Sequence, residues 1–400
     1  MEKTFKTIDN IDVENKVVLV RVDINSPVDE SGKVIDNERI REHSKTIREL
    51  SNRGAKVVIL AHQGRKGDKD FISLEQHAIL LSKYIGKEVK FVNDIIGEKA
   101  IENIKNLKKG EILLLDNVRY LDEETEEKTA EEHAKSKLVQ TLAPLANIFV
   151  QDAFSASHRA HASIVGFSKV LPTFAGRVME NEIKACEKIS NPERPLVYIL
   201  GGAKIDDCIA IMKHMLEKGS LDFVLTTGLL APLLLLAKGY DIGNATKEVL
   251  EKKKLIELVE DAKQLLEKYG KKIKLPLDVA LEEDGKRVEI DVEKLPAKSA
   301  ILDIGKKTIR SYKYYIKKAK TILVKGPAGV YEKKGFEKGT KAILKAIANL
   351  NAFKLIGGGD TGVAIEKLKI DASKFSYISI AGGALITYLS GKPMPGIEVL

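Results

Sequence analysis

Short apolar runs alternate with segments of helical periodicity almost from end to end of the chain. The run KVVLVRVD at 16–23 is nearly continuous in apolar residues, as a strand buried on both faces is. A helix is predicted after it, capped by Asp36, with Ile40, Ile47 and Leu50 on one face and Gly54 as its stop. KVVILAH at 56–62 repeats the strand, and Ser73 to Gly86 repeats the helix. Further strands are predicted at 88–92, 111–116 and 148–152. A second series starts with LVYILGG at 196–202 and continues at 222–227, 272–277, 300–304, 321–325, 353–356 and 377–380. This alternation predicts an α/β fold of parallel sheets covered by helices.

A chain of 400 residues exceeds what one core usually serves, so two domains are expected. The stretch from Leu171 to Pro195 holds three prolines and the polar helix ENEIKACEKIS, and it lies between the two strand series. A helix there is a stiff connector. No motif-length repeat or low-complexity segment interrupts either series.

The balance of 66 basic against 57 acidic residues raises the question of a nucleic-acid partner. Most lysines, however, sit beside glutamate in helical patterns such as EHAKSK and EKKKLIELVEDAK, which read as solvated faces, so no nucleic acid is expected. No apolar run nears the length of a membrane span, and MEKTFKTIDN does not read as a signal peptide. Cys186 and Cys208 form no metal-type cluster, and a reducing cytoplasm is the expected location. The arginines are more informative, since ten of the twelve lie before residue 195.

In open parallel sheets, ligands bind where strands end and the chain turns toward a helix. In the first half those positions carry Arg21, Asp23 and Asn25, then His62, Gln63, Gly64 and Arg65, then Asn117 and Arg119, then His158, Arg159 and His161. Arg39 opens the first helix. Guanidinium groups gathered at one sheet edge repel one another unless an anion lies between them, which predicts a multiply charged ligand. In the second half the ends read GGAK (201–204), TTG (226–228), KGPAG (325–329), GGGDT (357–361) and AGG (381–383). Glycine lets backbone amides approach a phosphate, and a helix starting just after points its positive end there. Asp360 suits magnesium beside phosphates, and Lys204 supplies a mobile positive charge. Two anionic substrates, one per half, point to phosphoryl transfer.

Other chemistries fit less well. His158 and His161 lack a third ligand for a metal site, and neither Ser155 nor Ser157 lies in a G-x-S-x-G elbow. A P-loop is absent, and so is the dinucleotide fingerprint that an oxidoreductase would need. A non-catalytic anion binder would explain the arginines but not GGGDT. His43, His77, His133 and His214 sit in helical patterns and read as surface or core residues, and Asp116 as a turn cap.

Taken in order, RVDINSP, NERIR, AHQGR, LLLDNVRY, QDAFSASHRAHAS, GGAKIDD, LDIGKKTI, KGPAGVYE, GGGDT and AGGALITYLSGKPMPG resemble the phosphoglycerate kinase family over essentially the whole chain, in an archaeal-looking version. The resemblance implies two similar-sized domains, each a parallel sheet with helices on both faces, joined by a hinge helix. Residues 1–175 would form the 3-phosphoglycerate domain, with the tail 389–400 packing back on it. The hinge would be 176–190 and the nucleotide domain 191–388. It also implies a triose site of Asp23, Asn25, Arg39, His62, Gln63, Gly64, Arg65, Arg119, His158, Arg159 and His161. Lys204, Lys325, Glu332, Gly357, Gly358, Gly359, Asp360, Thr361, Gly382 and Gly383 would serve Mg-ATP or Mg-ADP, with Glu332 near the ribose and Asp360 near the metal. Arg39 and Lys204 would carry catalysis between 3-phosphoglycerate with ATP and 1,3-bisphosphoglycerate with ADP. A monomer is expected, a homodimer being the alternative. Members commonly carry a second lysine where this chain has Cys208, a Trp-Asn where it has Val324-Lys325, and a third glycine where it has Ala381. Lys325 is expected to supply part of the missing charge.

Overall fold

The computed structural model describes residues 5–400; Met1–Thr4, the first residues of the expected first domain, lie outside them. The chain divides into two compact units, one running to Lys184 and including Pro393–Leu400, the other Ala185–Lys392. The first division falls inside the helix Arg177–Ser190.

The first unit is built on six parallel strands: β1 (Val17–Arg21), β2 (Lys56–Leu60), β3 (Val89–Val92), β4 (Ile112–Leu115), β5 (Ile148–Gln151) and β6 (Thr173–Ala175), in the order β3-β4-β2-β1-β5-β6. Alternate residues of the central strands enter opposite cores. Val18, Val20, Val57 and Ile59 pack with Ile40, Ile47 and Leu50, whereas Leu19, Val58 and Leu60 pack with Leu138, Leu142 and Phe167. Burial on both faces is why these strands read as unbroken apolar runs. The first helix spans Glu38–Asn52 and is capped by Asn37, whose side chain accepts from Arg39 N. Asp36, the expected cap, is instead held by the Tyr84 hydroxyl and lies 3.4 Å from Arg41. The short helix Pro395–Glu398 belongs to this unit, with Gly396 N donating to Ser157 O at 2.9 Å.

The second unit has β7 (Leu196–Leu200), β8 (Phe223–Thr226), β9 (Ile273–Lys274), β10 (Asp278–Glu283), β11 (Lys286–Asp291), β12 (Ile301–Ile304), β13 (Thr321–Lys325), β14 (Phe353–Gly357) and β15 (Tyr377–Ile378). Six form a parallel sheet in the order β15-β14-β13-β7-β8-β9, and one face packs Val197, Ile199, Ile322 and Val324 against Tyr312, Ile316, Ile343 and Ile347. β10, β11 and β12 form a separate antiparallel sheet, so the run at 300–304 is not part of the parallel series as expected. β10 and β11 are a hairpin turned by Asp284 (φ 47°) and Gly285 (φ 72°). Both residues take the left-handed conformation that Asp-Gly turns favour. Among the described residues, no helix is long and apolar enough to cross a membrane.

Candidate functional site

In the first unit the ends of β1, β2, β4 and β5 gather the predicted cations around a small set of carboxylates. Arg21 is fully buried: Nε donates to Ser163 Oγ at 2.7 Å, Nη2 to His62 Nδ1 at 2.9 Å, and Glu124 lies 3.9 Å away. Asp23, also buried, receives Arg39 Nη1 at 3.0 Å and the Ser155 hydroxyl, with His62 Nε2 at 3.9 Å. Burial alone would raise its pKa, but Arg39, His62 and Ser155 together hold the carboxyl well below its usual range. Arg119 donates to Gly64 O, and its N–H and that of Gln63 both reach Asn117 Oδ1. Arg65 and Arg159 differ from these, since neither guanidinium meets a hydrogen-bonding or ion-pair partner among the described residues. Their mutual repulsion adds to burial in pulling Arg159 below the ordinary arginine value. His158 Nδ1 is buried with no partner either.

Some predicted residues are already committed to the scaffold. Gln63 is buried; its Oε1 accepts from Ser26 N at 2.8 Å and pairs with His77 Nε2 at 3.1 Å, and its Nε2 donates to Ser26 O at 2.9 Å. Asn25 Oδ1 accepts from Gly64 N at 2.8 Å, which fixes the turn after β2. Gly64 has φ +64°, and a Cβ there would stand 2.4 Å from Asp70 O, so only glycine fits.

The histidines are held neutral. Burial, with Arg119 and Arg159 next in effect, pushes His161 down to about 3, and burial with Arg21 and Arg119 pushes His62 well below its ordinary value. His161 Nε2 lies 3.5 Å from Glu127. Because the unfolded imidazole protonates near 6.5 and the folded one near 3, the folded state loses stability as pH falls from 6.5 toward 3. The pH dependence of thermal unfolding should be flatter over that window in His161→Gln than in the native chain. Adding a phosphate-bearing ligand should also flatten the native curve, since an anion there favours imidazolium.

In the second unit the glycine-rich ends separate into two kinds. Gly201 N donates to Lys325 O, Gly202 N to Pro327 O and Gly228 N to Ala328 O, at 2.8–2.9 Å. A Cβ at Gly228 would lie 2.2 Å from Gly202 N, and one at Gly326 would lie 2.3 Å from Gly201 O. These glycines lock the turns after β7, β8 and β13 to one another, so the expectation that GGAK, TTG and KGPAG offer amides to phosphate fails for them. By contrast, Gly358, Gly359 and Gly383 have nothing within 4 Å of an added Cβ. Gly358 (φ +92°) caps the helix Gly359–Lys367, and Gly382 (φ +58°) caps Gly383–Leu389. Gly357 ends β14 under Leu385, and Thr361 is buried, its Oγ1 accepting from Gly326 N at 2.9 Å. Asp360 and Glu332 are exposed and both lie beside Tyr331, whose phenol is raised by burial first and then by these two charges. Lys204 is exposed, without a partner among the described residues, at the start of the helix Ile205–Glu217. Lys325 is buried with Nζ 3.3 Å from Asp207 Oδ2, close enough to Cys208 to act on it. Burial nevertheless pushes the Cys208 thiol up to about 11. Among the described residues, no three His, Cys, Asp or Glu are grouped to hold a metal.

Several residues at the first site escaped sequence reasoning. Glu124, which neutralises buried Arg21, lies in the acidic run DEETEEK. His43 and Asp152 form a buried pair 2.9 Å apart directly behind Asp23. The only signal for either was position: Asp152 ends a predicted strand, and His43 lies one helical turn beyond Arg39.

The sequence model described as phosphoglycerate kinase matches residues 8–392. Among relatives, the phosphoglycerate kinase of Methanothermobacter thermautotrophicus is 47% identical over 398 residues, 99% of this chain and 96% of that one. That of Saccharolobus solfataricus is 46% identical over 399 residues, 99% and 97%. Among solved structures, phosphoglycerate kinase from Pyrococcus horikoshii OT3 superimposes with a TM-score of 0.91 at 37% identity, covering 99% of this chain and 98% of that one. The one from Coxiella burnetii gives 0.84 at 33%, with the same coverage.

Proposed function

The chain belongs to the phosphoglycerate kinase family, and from that premise we propose how its two sets of strand ends divide the reaction. The enzyme is a phosphotransferase with a carboxyl acceptor. It moves a phosphoryl group in line and reversibly between 1,3-bisphosphoglycerate with ADP and 3-phosphoglycerate with ATP, a step of glycolysis and gluconeogenesis. The attacking group in each direction is already an anion, so no general base is needed. That suits a site whose one central carboxylate, Asp23, is kept ionised by Arg39 and whose histidines are held neutral.

In this reading Arg65, Arg119, Arg159, His158 and His161 grip the phosphate of 3-phosphoglycerate remote from its carboxylate. Asp23, Asn25, His62, Gln63 and Gly64 shape the floor, Gln63 through its backbone because its side chain is taken. Arg39 and Lys204 stabilise charge on the transferring group. The open helix starts at Gly358–Gly359 and Gly382–Gly383 cradle the nucleotide phosphates, with Glu332 toward the ribose. The exposed carboxylate of Asp360 would hold magnesium that arrives with the nucleotide, leaving most of the ion's coordination to phosphate oxygens and water. Bound there, the ion would offset phosphate charge. Transfer further requires the bound substrates to meet with water excluded. The reading takes the enzyme as a cytoplasmic monomer.

The observation that carries it is the cationic excess at the first site: among the described residues the guanidiniums of Arg65 and Arg159 have no partner, while the carboxylates of Asp23 and Glu124 are already engaged by Arg39 and Arg21. A coupled assay with ATP, magnesium and 3-phosphoglycerate tests it, turnover being expected only when all three are present. Turnover without 3-phosphoglycerate would refute it. For Lys325, held near Cys208 by Asp207, the expected result of Lys325→Ala is a roughly tenfold loss in kcat/KM for the nucleotide, about 1.4 kcal/mol. Unchanged KM and kcat would show that its charge does not reach the phosphates.

A further inference from the structure

One side of the helix Glu38–Asn52 carries a polar stripe at half-buried Arg39, buried His43 and Thr46, and half-buried Glu49, spaced four, three and three residues apart. That spacing puts all four side chains along one side. Arg39 holds the Asp23 carboxylate. His43 Nε2 accepts from the backbone N–H of the same Asp23 at 3.3 Å, and His43 Nδ1 lies 2.9 Å from Asp152 Oδ2. The other oxygen of Asp152 accepts from Val178 N at 2.9 Å and Met179 N at 3.2 Å. Thr46 Oγ1 accepts from Arg177 N at 3.1 Å, and Glu49 takes the Arg177 guanidinium in two bonds of 2.7 and 2.8 Å. The stripe thus runs from Asp23 to the first turn of the helix Arg177–Ser190, along which the chain leaves the first unit. Gly176 completes the arrangement, because a Cβ there would fall 2.2 Å from Asp152 Oδ1.

We infer that His43 is a positioning residue that couples the occupancy of the triose site to the start of the helix Arg177–Ser190. Both its nitrogens are used: Nε2 must be bare to accept from Asp23, so the proton sits on Nδ1 and is donated to Asp152. The imidazole and carboxylate are buried, with side chains 1% and 0% exposed, so water offers neither an alternative partner. A ligand that draws Asp23 and Arg39 toward it pulls on this chain of bonds, and the amides of Val178 and Met179 are its far end. His43 touches no substrate and acts only through Asp23 and Asp152.

The inference rests on 3-phosphoglycerate binding at the first site. Hydrogen exchange of the full-length protein, with and without 3-phosphoglycerate alone, tests it. In the native chain the ligand is expected to slow exchange across residues 177–184 by roughly tenfold. His43→Ala should still bind 3-phosphoglycerate but lose that slowing, and kcat should fall by roughly 10–100-fold while the KM for 3-phosphoglycerate changes far less. His43→Leu fills the buried site but can neither accept from Asp23 nor donate to Asp152, and it serves in the same way if the alanine variant does not fold. Ligand-linked slowing that persists in the variants, or is absent from a native chain that binds 3-phosphoglycerate, would overturn the inference. A native chain that does not bind 3-phosphoglycerate would instead overturn the assignment of the first site.

Discussion

Arg39→Ala is expected to lower kcat by roughly 10²–10⁴-fold while leaving the KM for 3-phosphoglycerate within a few-fold of native. The guanidinium is half-exposed and tied to buried Asp23 by a single 3.0 Å contact through Nη1. Its remaining donors are therefore able to meet charge that develops on a transferring phosphoryl group. Removing it also strips Asp23 of a main counter-charge, and the carboxyl's pKa should climb, since burial already pushes it upward. Arg65→Ala should do the reverse, raising KM with little change in kcat, because an exposed arginine free of partners binds substrate and transition state alike. Steady-state kinetics on both variants separate the roles. A KM effect at Arg39 together with a kcat effect at Arg65 would exchange them.

The two kinds of glycine in the second unit predict opposite outcomes for the same chemical change. Gly326→Ala places a methyl 2.3 Å from Gly201 O at a φ of +81°. Left-handed strain and overpacking should together cost about 2–5 kcal/mol, measurable by denaturant unfolding of the second unit. Gly359→Ala meets no atom and lies at the first position of a helix, where alanine is no worse than glycine, so stability should hold or rise slightly. The nucleotide KM should nevertheless rise roughly tenfold, because the methyl crowds the backbone that a phosphate must approach. If Gly359→Ala bound nucleotide normally, the start of that helix would not be the phosphate cradle.

What was readable in the sequence follows from range. The central strands of both parallel sheets are legible because double-faced burial writes itself into consecutive residues, whereas the three-residue edge strand Thr173–Ala175 lies in the stretch read as connector and is missed. The cations of the first site are legible because they sit within a few positions of strand ends. The hairpin at 278–291 carries an Asp-Gly signal, yet the apolar run at 300–304 reads as one more parallel strand because composition alone does not record its antiparallel partner. GGAK and GGGDT look alike in one dimension. Only the fold reveals that Gly201 is closed in by Thr227 and Pro327, and Gly228 and Gly326 by the Gly201–Gly202 turn, while Gly358 and Gly359 face open space. Buried pairs are hardest: Arg21 with Glu124, and His43 with Asp152, join residues far apart in sequence, and neither member of a pair announces the other. The hydroxyl of Thr361, a residue expected at the nucleotide, accepts from Gly326 N, a bond that residue type could not foretell.

The central claim is that two anions bind to separate units, one held by guanidinium groups and the other by open backbone amides. A crystal structure with 3-phosphoglycerate and a non-transferable ATP analogue tests it most directly. The prediction is a triose phosphate within hydrogen-bonding reach of Arg65, Arg119 and Arg159, and nucleotide phosphates on the amides at Gly358–Gly359. Both ligands found on the same unit, or nucleotide phosphates found on the arginines, would contradict it.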